Sequence, residues 1–187
     1  PDLLARFRAN YPDVEIDLKD MTRSEIEKSI LKNEVDLGVA IISNIKDSNK
    51  FGNSVLVRSR RQLWVAPTHP LAKKHSLALE DIANYPYIMV TTDEAEESTL
   101  SYWNSRKIKP NIVFRTSSIE AVRGLVAHGF GITALSDMVF RPWSLEGKRI
   151  ETRPIVDIVP PMQVGVIWNH DTFYKNSSLA LKEFLIH

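Results

Sequence analysis

The chain has 187 residues, 43% of them hydrophobic and 25% charged, and its 24 Lys and Arg against 23 Asp and Glu leave a formal net charge of +1. That length supports one well-buried domain or two small ones, and so even a charge gives no general electrostatic case for binding nucleic acid. There is no cysteine, which excludes disulfides, thiolate metal ligands and a cysteine nucleophile and suits a reducing cytoplasm, and no apolar run approaches the roughly 20 residues of a membrane helix.

Residues 1–10 read as a helix, with Leu3, Leu4 and Phe7 on one side and Arg6 and Arg8 on the other. A strand is expected ahead of it, and no signal peptide is legible there. Residues 14–18, VEIDL, alternate like a strand with one exposed face. Thr22 and Glu25 fit a capping box, which opens a helix running through Ile26, Ile30 and Leu31 to about Asn33. Residues 36–42 form an apolar run suited to a buried parallel strand, so a β-α-β unit is expected here. Residues 43–53 read as a loop. Strands follow at 55–57 and 63–66, a short helix over 80–83, a strand at 87–90, and a helix marked by Leu100 and Trp103.

Residues 112–135 hold a strand, a polar turn, an amphipathic helix, a Gly-Phe-Gly break and a second strand. That is a complete β-α-β unit, which requires a parallel sheet. Ser117 to Glu120 fit a second capping box, and Ile119, Val122, Leu125 and Val126 mark the helix's apolar face. Beyond it, a short helix near 136–145 is expected to turn Met138, Val139 and Phe140 inward. An edge strand at 149–153, a strand at 164–168 and a final helix at 177–186 complete the chain. Proline-bearing connectors near 66–70 and 159–162 bracket a middle α/β segment that suits a second lobe inserted into the first.

No catalytic constellation is present. The histidines His69, His75, His128, His170 and His187 lack metal-ligand spacing, and there is neither a nucleophile elbow nor a phosphate loop. Gly129 and Gly131 close a helix and open a strand, the reverse of a phosphate loop. His69, before Pro70, reads as a turn or cap residue. The acidic run at 93–97 complements the positive start of the next helix. No cofactor is implied. What remains is three polar strand-to-helix turns, at 21–24, 91–93 and 116–118, each offering hydroxyls and free N–H groups. If they converge they hold a small anion, most naturally a carboxylate; otherwise the hydroxyls only cap their helices. Arg23 and Arg115 either add charge to such a site or stay solvated.

Five stretches carry a resemblance: residues 3–16 (LLARFRANYPDVEI), 35–40 (VDLGVA), 64–72 (WVAPTHPLA, the most specific), 79–82 (LEDI) and 126–132 (VAHGFGI). In this order, over nearly the whole chain, they resemble the effector-binding domain of LysR-type transcriptional regulators. The resemblance implies an α/β fold of two Rossmann-like lobes joined by two crossover segments, type 2 periplasmic-binding-protein-like. Lobe I would be 1–66 with 162–187, and lobe II 67–161. It implies a small effector in the interlobe cleft, against Met21 and Thr22, against Thr91, Thr92 and Asp93, and against Thr116, Ser117 and Ser118, with Thr133 and Ala134 in a wall. It further implies a homodimer or homotetramer, a cytoplasmic location, no catalysis, and DNA contact only through an N-terminal winged helix-turn-helix outside this sequence. The family's first strand and its loop are also outside it, and Ser136 and Asp137 stand where the family commonly has a proline. A periplasmic solute-binding protein of related fold is the alternative, against which residues 64–72 argue. An enzyme on this scaffold would need a nucleophile–base pair or a metal cluster, and neither is visible.

Overall fold

The computed structural model describes every residue except Pro1, Lys46, Asp93, Glu94 and Phe173, together with all side chains but that of Ser48 among the rest. The helices are α1 (Asp2–Asn10), α2 (Arg23–Leu31), α3 (Leu79–Ala83), α4 (Ala95–Ser105), α5 (Ile119–Ala127) and α6 (Asn176–Ile186). The strands are β1 (Gly38–Ile41), β2 (Phe51–Ser59), β3 (Arg61–Val65), β4 (Pro86–Val90), β5 (Asn111–Thr116), β6 (Thr133–Ser136), β7 (Glu151–Pro154) and β8 (Met162–Asn169). The chain folds into two compact units, Pro1–Arg58 with Gln163–His187 and Ser59–Met162, and so passes between them twice. β3 pairs with β6 and β7 and groups with the second unit, whereas the sequence-based division put residues 59–66 with the first.

In the first unit the sheet order is β1-β8-β2. β1 runs antiparallel to β8, with Gly38 opposite Ile167 and Ile41 opposite Val164, so the expected buried parallel strand is corrected. Only one of its faces is covered: Ala40 is buried while Val39 is 54% exposed. That half-solvated state is what an antiparallel sheet accommodates and a parallel one rarely does. The expected strand at 14–18 is also absent. Alternation makes a strand only when a ladder partner takes its N–H and C=O groups. None of the described residues pairs with 14–18, and Leu18 is 71% exposed. The first β-α-β unit expected from the sequence is therefore not formed. Ile26 and Ile30 of α2 pack with Val35, Ile42, Phe51 and Ile167, and Phe7 of α1 sits edge-on to Phe184 of α6 at 5.4 Å.

The capping box at α2 forms as its residue types dictate. The Thr22 N–H donates to Glu25 Oε2 at 2.8 Å, and the Thr22 hydroxyl accepts from the Glu25 N–H at 3.4 Å. That hydroxyl also donates to Glu25 Oε2, at 2.7 Å. This side-chain bond first, and the backbone bond second, hold the Glu25 carboxyl below its ordinary range. A group whose folded pKa is depressed contributes stability above its unfolded pKa and loses it as pH falls through the folded value. Carbon-detected NMR titration of Glu25 is accordingly expected to give a midpoint below that of a solvated glutamate, and Thr22→Ala should return it toward the ordinary value. The same substitution removes the cap, and chemical denaturation should show a loss of about 1 kcal/mol.

In the second unit β4 is the organising strand. β5 lies parallel to it, with Pro86 opposite Asn111 and Val90 opposite Thr116. On its other side Ile132 forms a parallel bridge with Tyr87, through Ile88 N–H to Ile132 O and Ile132 N–H to Pro86 O, both 2.9 Å. The β5-α5-β6 unit is thus built, but its two strands flank β4 rather than each other. A Cβ on Gly131 would stand 2.8 Å from the Pro86 carbonyl oxygen, so the close approach requires glycine there. α5 ends on Gly129 at φ 77°, with Phe130 N–H to Leu125 O and Gly129 N–H to Val126 O, both 3.0 Å. That is the double bond pair of a Schellman stop. β6 then runs antiparallel to β3, with β7 on the far edge of β3.

Alternation on β3 divides the second core in two. Leu63 and Val65 face a cluster with Leu79, Ile82, Tyr102 and Trp103; Trp64 faces another with Ile88, Val122 and Val126. The segment after β6 is a single 3-10 turn, Asp137–Val139. Val139 and Phe140 pack against the Trp64 cluster, but Met138 is exposed. A turn with three residues per repeat cannot aim three consecutive side chains at one core, which corrects the inward placement expected of Met138.

Candidate functional site

The parallel register of β4 and β5 sets their carboxyl ends side by side, Val90 opposite Thr116. One more ladder bond, Thr91 N–H to Thr116 O at 3.0 Å, extends the pairing into the turns. The Thr92 hydroxyl then donates to Ser117 O at 2.6 Å. Thr116 Oγ1 accepts from the Ser118 N–H at 3.1 Å, and Ser118 Oγ accepts from the Ala121 N–H at 3.1 Å. The cap of α5 is therefore Ser118, not Ser117. The expected capping box does not form, because the third helical position is then Ala121, and Glu120 pairs with Arg123 instead.

This shift decides which hydroxyls are free. That of Thr92 spends its donor on a backbone carbonyl, and those of Thr116 and Ser118 each accept from a backbone N–H. Those of Thr91 and Ser117 make no hydrogen bond to the described residues, and Ser117 is exposed. The first intrahelical bond of α5 is Val122 N–H to Ser118 O, which leaves the N–H groups of Ile119 and Glu120 without an intrahelical acceptor. The second unit thus brings Thr91, Thr92, Thr116, Ser117 and Ser118 together in one polar surface with unspent donors.

The other site residues read from the sequence are placed differently. Thr133 and Ala134 lie in β6 opposite Trp64 and Leu63, both about fully buried. The Thr133 hydroxyl donates to Ile88 O at 2.8 Å, and the Ala134 N–H donates to the Tyr87 hydroxyl at 3.1 Å. These two residues tie the sheet together and present no side chain at the surface. Met21 and Thr22 belong to the first unit, where the Thr22 hydroxyl is committed to Glu25. Asp93 lies outside the described residues. Of the two arginines considered from the sequence, Arg115 pairs with Glu96 of α4 at 2.9 Å and Arg23 pairs with Glu27. His69 is a cap: its Nδ1 accepts from the Leu71 N–H at 3.2 Å, and burial pushes its pKa down.

Sequence reasoning passed over Arg61. It opens β3 and donates to the Pro160 carbonyl and, at 3.2 Å, to the Ser98 hydroxyl of α4. Burial lowers its pKa. The signal was present: Arg61, Leu63 and Val65 share one face of a strand, so a charge is directed toward the α4 side of the core.

The model for the LysR substrate-binding domain matches residues 1–187 of the chain. The chain belongs to the LysR substrate-binding domain family. Among curated relatives, the HTH-type transcriptional regulator CysB of Haemophilus influenzae is 26% identical over 188 residues, covering 98% of this chain and 56% of that protein. The chain spans about half the length of the curated relatives it matches. In fold it is similar to the C-terminal domain of a probable LysR family regulator from Rhodococcus sp. RHA1, with TM-score 0.88, 21% identity, and coverage of 99% of this chain and 90% of that one. It is similar also to the effector-binding domain of QuiR solved in complex with shikimate, with TM-score 0.82, 21% identity, and coverage of 100% and 88%. The architecture of this LysR domain is thus the type 2 periplasmic-binding-protein-like α/β fold. Among the described residues no helix is long and apolar enough to cross a membrane.

Proposed function

We propose that the chain is the sensing part of a cytoplasmic LysR-type transcriptional regulator. It binds a small metabolite carrying a carboxylate or another anionic group, and performs no chemistry on it. In the longer protein, a homodimer or homotetramer, an N-terminal winged helix-turn-helix reads the bound state out on DNA. The observation that carries this reading is the paired turn at the carboxyl ends of β4 and β5. There the Thr91 and Ser117 hydroxyls and the open N–H groups of α5 are donors without acceptors among the described residues, next to a positive helix end. The shikimate bound by QuiR is a carboxylate, which accords with that donor set.

Effector contacts are assigned to Thr91, Thr92, Thr116, Ser117 and Ser118 in the second unit and to Met21 and Thr22 in the first. Thr133 and Ala134 support them from the core. The lobes acting in this way are the two compact units, 1–58 with 163–187 and 59–162. An effector shifts such a protein only by its differential affinity for two arrangements, and the same coupling acts back on DNA affinity.

A thermal-shift screen against small carboxylates, aromatic acids, amino acids and inorganic anions tests the reading. A dose-dependent rise in melting temperature for an anionic class is expected, because a ligand of the native state stabilises by mass action. A rise given only by neutral or cationic solutes would refute the anion assignment. With the responding anion in hand, Ser117→Ala should weaken binding by about 1–3 kcal/mol and leave the melting temperature of the free protein unchanged. A stability loss with unaltered affinity would make Ser117 a structural residue only.

A further inference from the structure

Among the described residues of the second unit, one half-buried cation has no counter-charge. Among its arginines, the two others that are withdrawn from solvent each face a glutamate, Arg123 with Glu120 and Arg153 with Glu151. Arg61 is half-buried, yet no described carboxylate lies within ion-pair distance; its partners are the Pro160 carbonyl and the Ser98 hydroxyl. Next to it is a second anomaly. Tyr102 is 3% exposed, and the Tyr87 and Thr99 hydroxyls beside its own give it loose hydrogen-bond contacts that fall short of ideal geometry. Burial pushes that phenol well up, so it stays protonated and keeps its donor. Ser98 and Tyr102 are four residues apart on α4 and share one face of it. A withdrawn cation with no anion among the described residues, beside a buried phenol with only loose partners, is costly to a fold. An oxyanion at the guanidinium would supply the missing charge, and a planar carboxylate suits the guanidinium fork in particular.

We propose that Arg61, Ser98 and Tyr102 form a carboxylate-recognising subsite in the second unit, with Arg61 as the residue that makes the effector preference anionic. This rests on the effector-sensing reading. α4 follows directly on the Thr91–Thr92 turn, so the subsite adjoins the polar surface already described and supplies the full charge which that surface lacks. Ser98 orients the guanidinium and Pro160 holds its other edge, leaving its remaining N–H groups for the ligand.

The test is a side-chain NMR titration of the intact chain. The Arg61 Nε–Hε resonance, assigned through its loss in Arg61→Lys, is followed as acetate, benzoate or sulfate is added at constant ionic strength set by chloride. A saturable shift with acetate or benzoate is expected. Saturation with sulfate alone would overturn the carboxylate assignment in favour of an inorganic oxyanion, and no saturable shift with any of the three would overturn the subsite. In parallel, the carboxylate giving the largest thermal stabilisation is measured against Arg61→Gln and Arg61→Lys. Affinity should fall about tenfold or more in the first and recover in part in the second. Unchanged affinity in Arg61→Gln would leave the sensing reading intact and reduce Arg61 to a strut for Pro160. Absence of stabilisation by every metabolite class would instead count against the sensing reading. The wild-type titration needs no variant beyond the assignment, so it decides the subsite even if Arg61→Gln fails to fold.

Discussion

Trp103→Ala is expected to lower the stability of the second unit by about 3–5 kcal/mol, the range for deleting a fully buried tryptophan. Trp103 is 0% exposed and packs with Leu63, Leu79, Ile82 and Met89, with the Tyr87 ring edge-on at 5.7 Å. It holds α4 onto β3 and β4 at once, so no single neighbour can relax into the space. Its indole N–H has no partner among the described residues, so the loss is one of packing and not of a hydrogen bond. Trp103→Phe should therefore cost much less than the alanine change. Urea denaturation of both variants, with hydrogen exchange of β4 amides as the local readout and β1 amides as the control in the other unit, checks the expectation. Equal losses for Phe and Ala would show that the indole N–H matters after all. Because Tyr87 also accepts the Ala134 N–H and α4 carries Ser98, the alanine variant should lose anion binding along with stability.

The parts of this molecule legible in its sequence are those decided locally. Thr22 and Glu25 close their capping box with residues three apart, and Gly129 stops α5 through the sign of its own φ. Elements decided by a remote partner were not legible. Residues 14–18 have the alternation of a strand, but a strand also needs a neighbour, and periodicity cannot supply one. β1 has the apolar run of a parallel strand, yet its partner β8 returns from the other end of the chain in the opposite direction. At the turns, the sequence picked out the residues that come together, Thr91 and Thr92 with Thr116 to Ser118. It misassigned the cap by one position, and that one position determines that Ser117 rather than Ser118 keeps a free hydroxyl. Arg61 was missed for a related reason. A charged residue at the head of an apolar strand reads as a solvated end until α4 is seen to cover it.

The connector that leaves the second unit is held by one carboxylate, and Asp157→Ala is expected to cost about 2–3 kcal/mol. The Asp157 side chain is 5% exposed and accepts from the Leu79 N–H and from Arg106 Nη2, both at 2.6 Å. The first contact caps α3 from outside, because Ala78 at its start has no side-chain oxygen to offer. The second ties the chain just after α4, and Arg106 is itself 49% exposed, so solvent screening keeps the cost below that of a fully buried pair. Asp157→Asn separates the two contributions. The amide oxygen still caps Leu79, while the charge that holds Arg106 is gone, so it should recover about half of the loss. The Leu77–Ile155 bridge and the Val156 N–H to Leu77 O bond, 2.9 Å, keep the start of the connector in place without Asp157. Loosening should therefore begin beyond Val156 and run toward β8. Hydrogen exchange of the Leu79 amide, which donates to Asp157, compared between Asp157→Ala and the parent, should show faster opening there with β3 and β4 unaffected. Uniform acceleration across the second unit would mean instead that Asp157 stabilises the whole core.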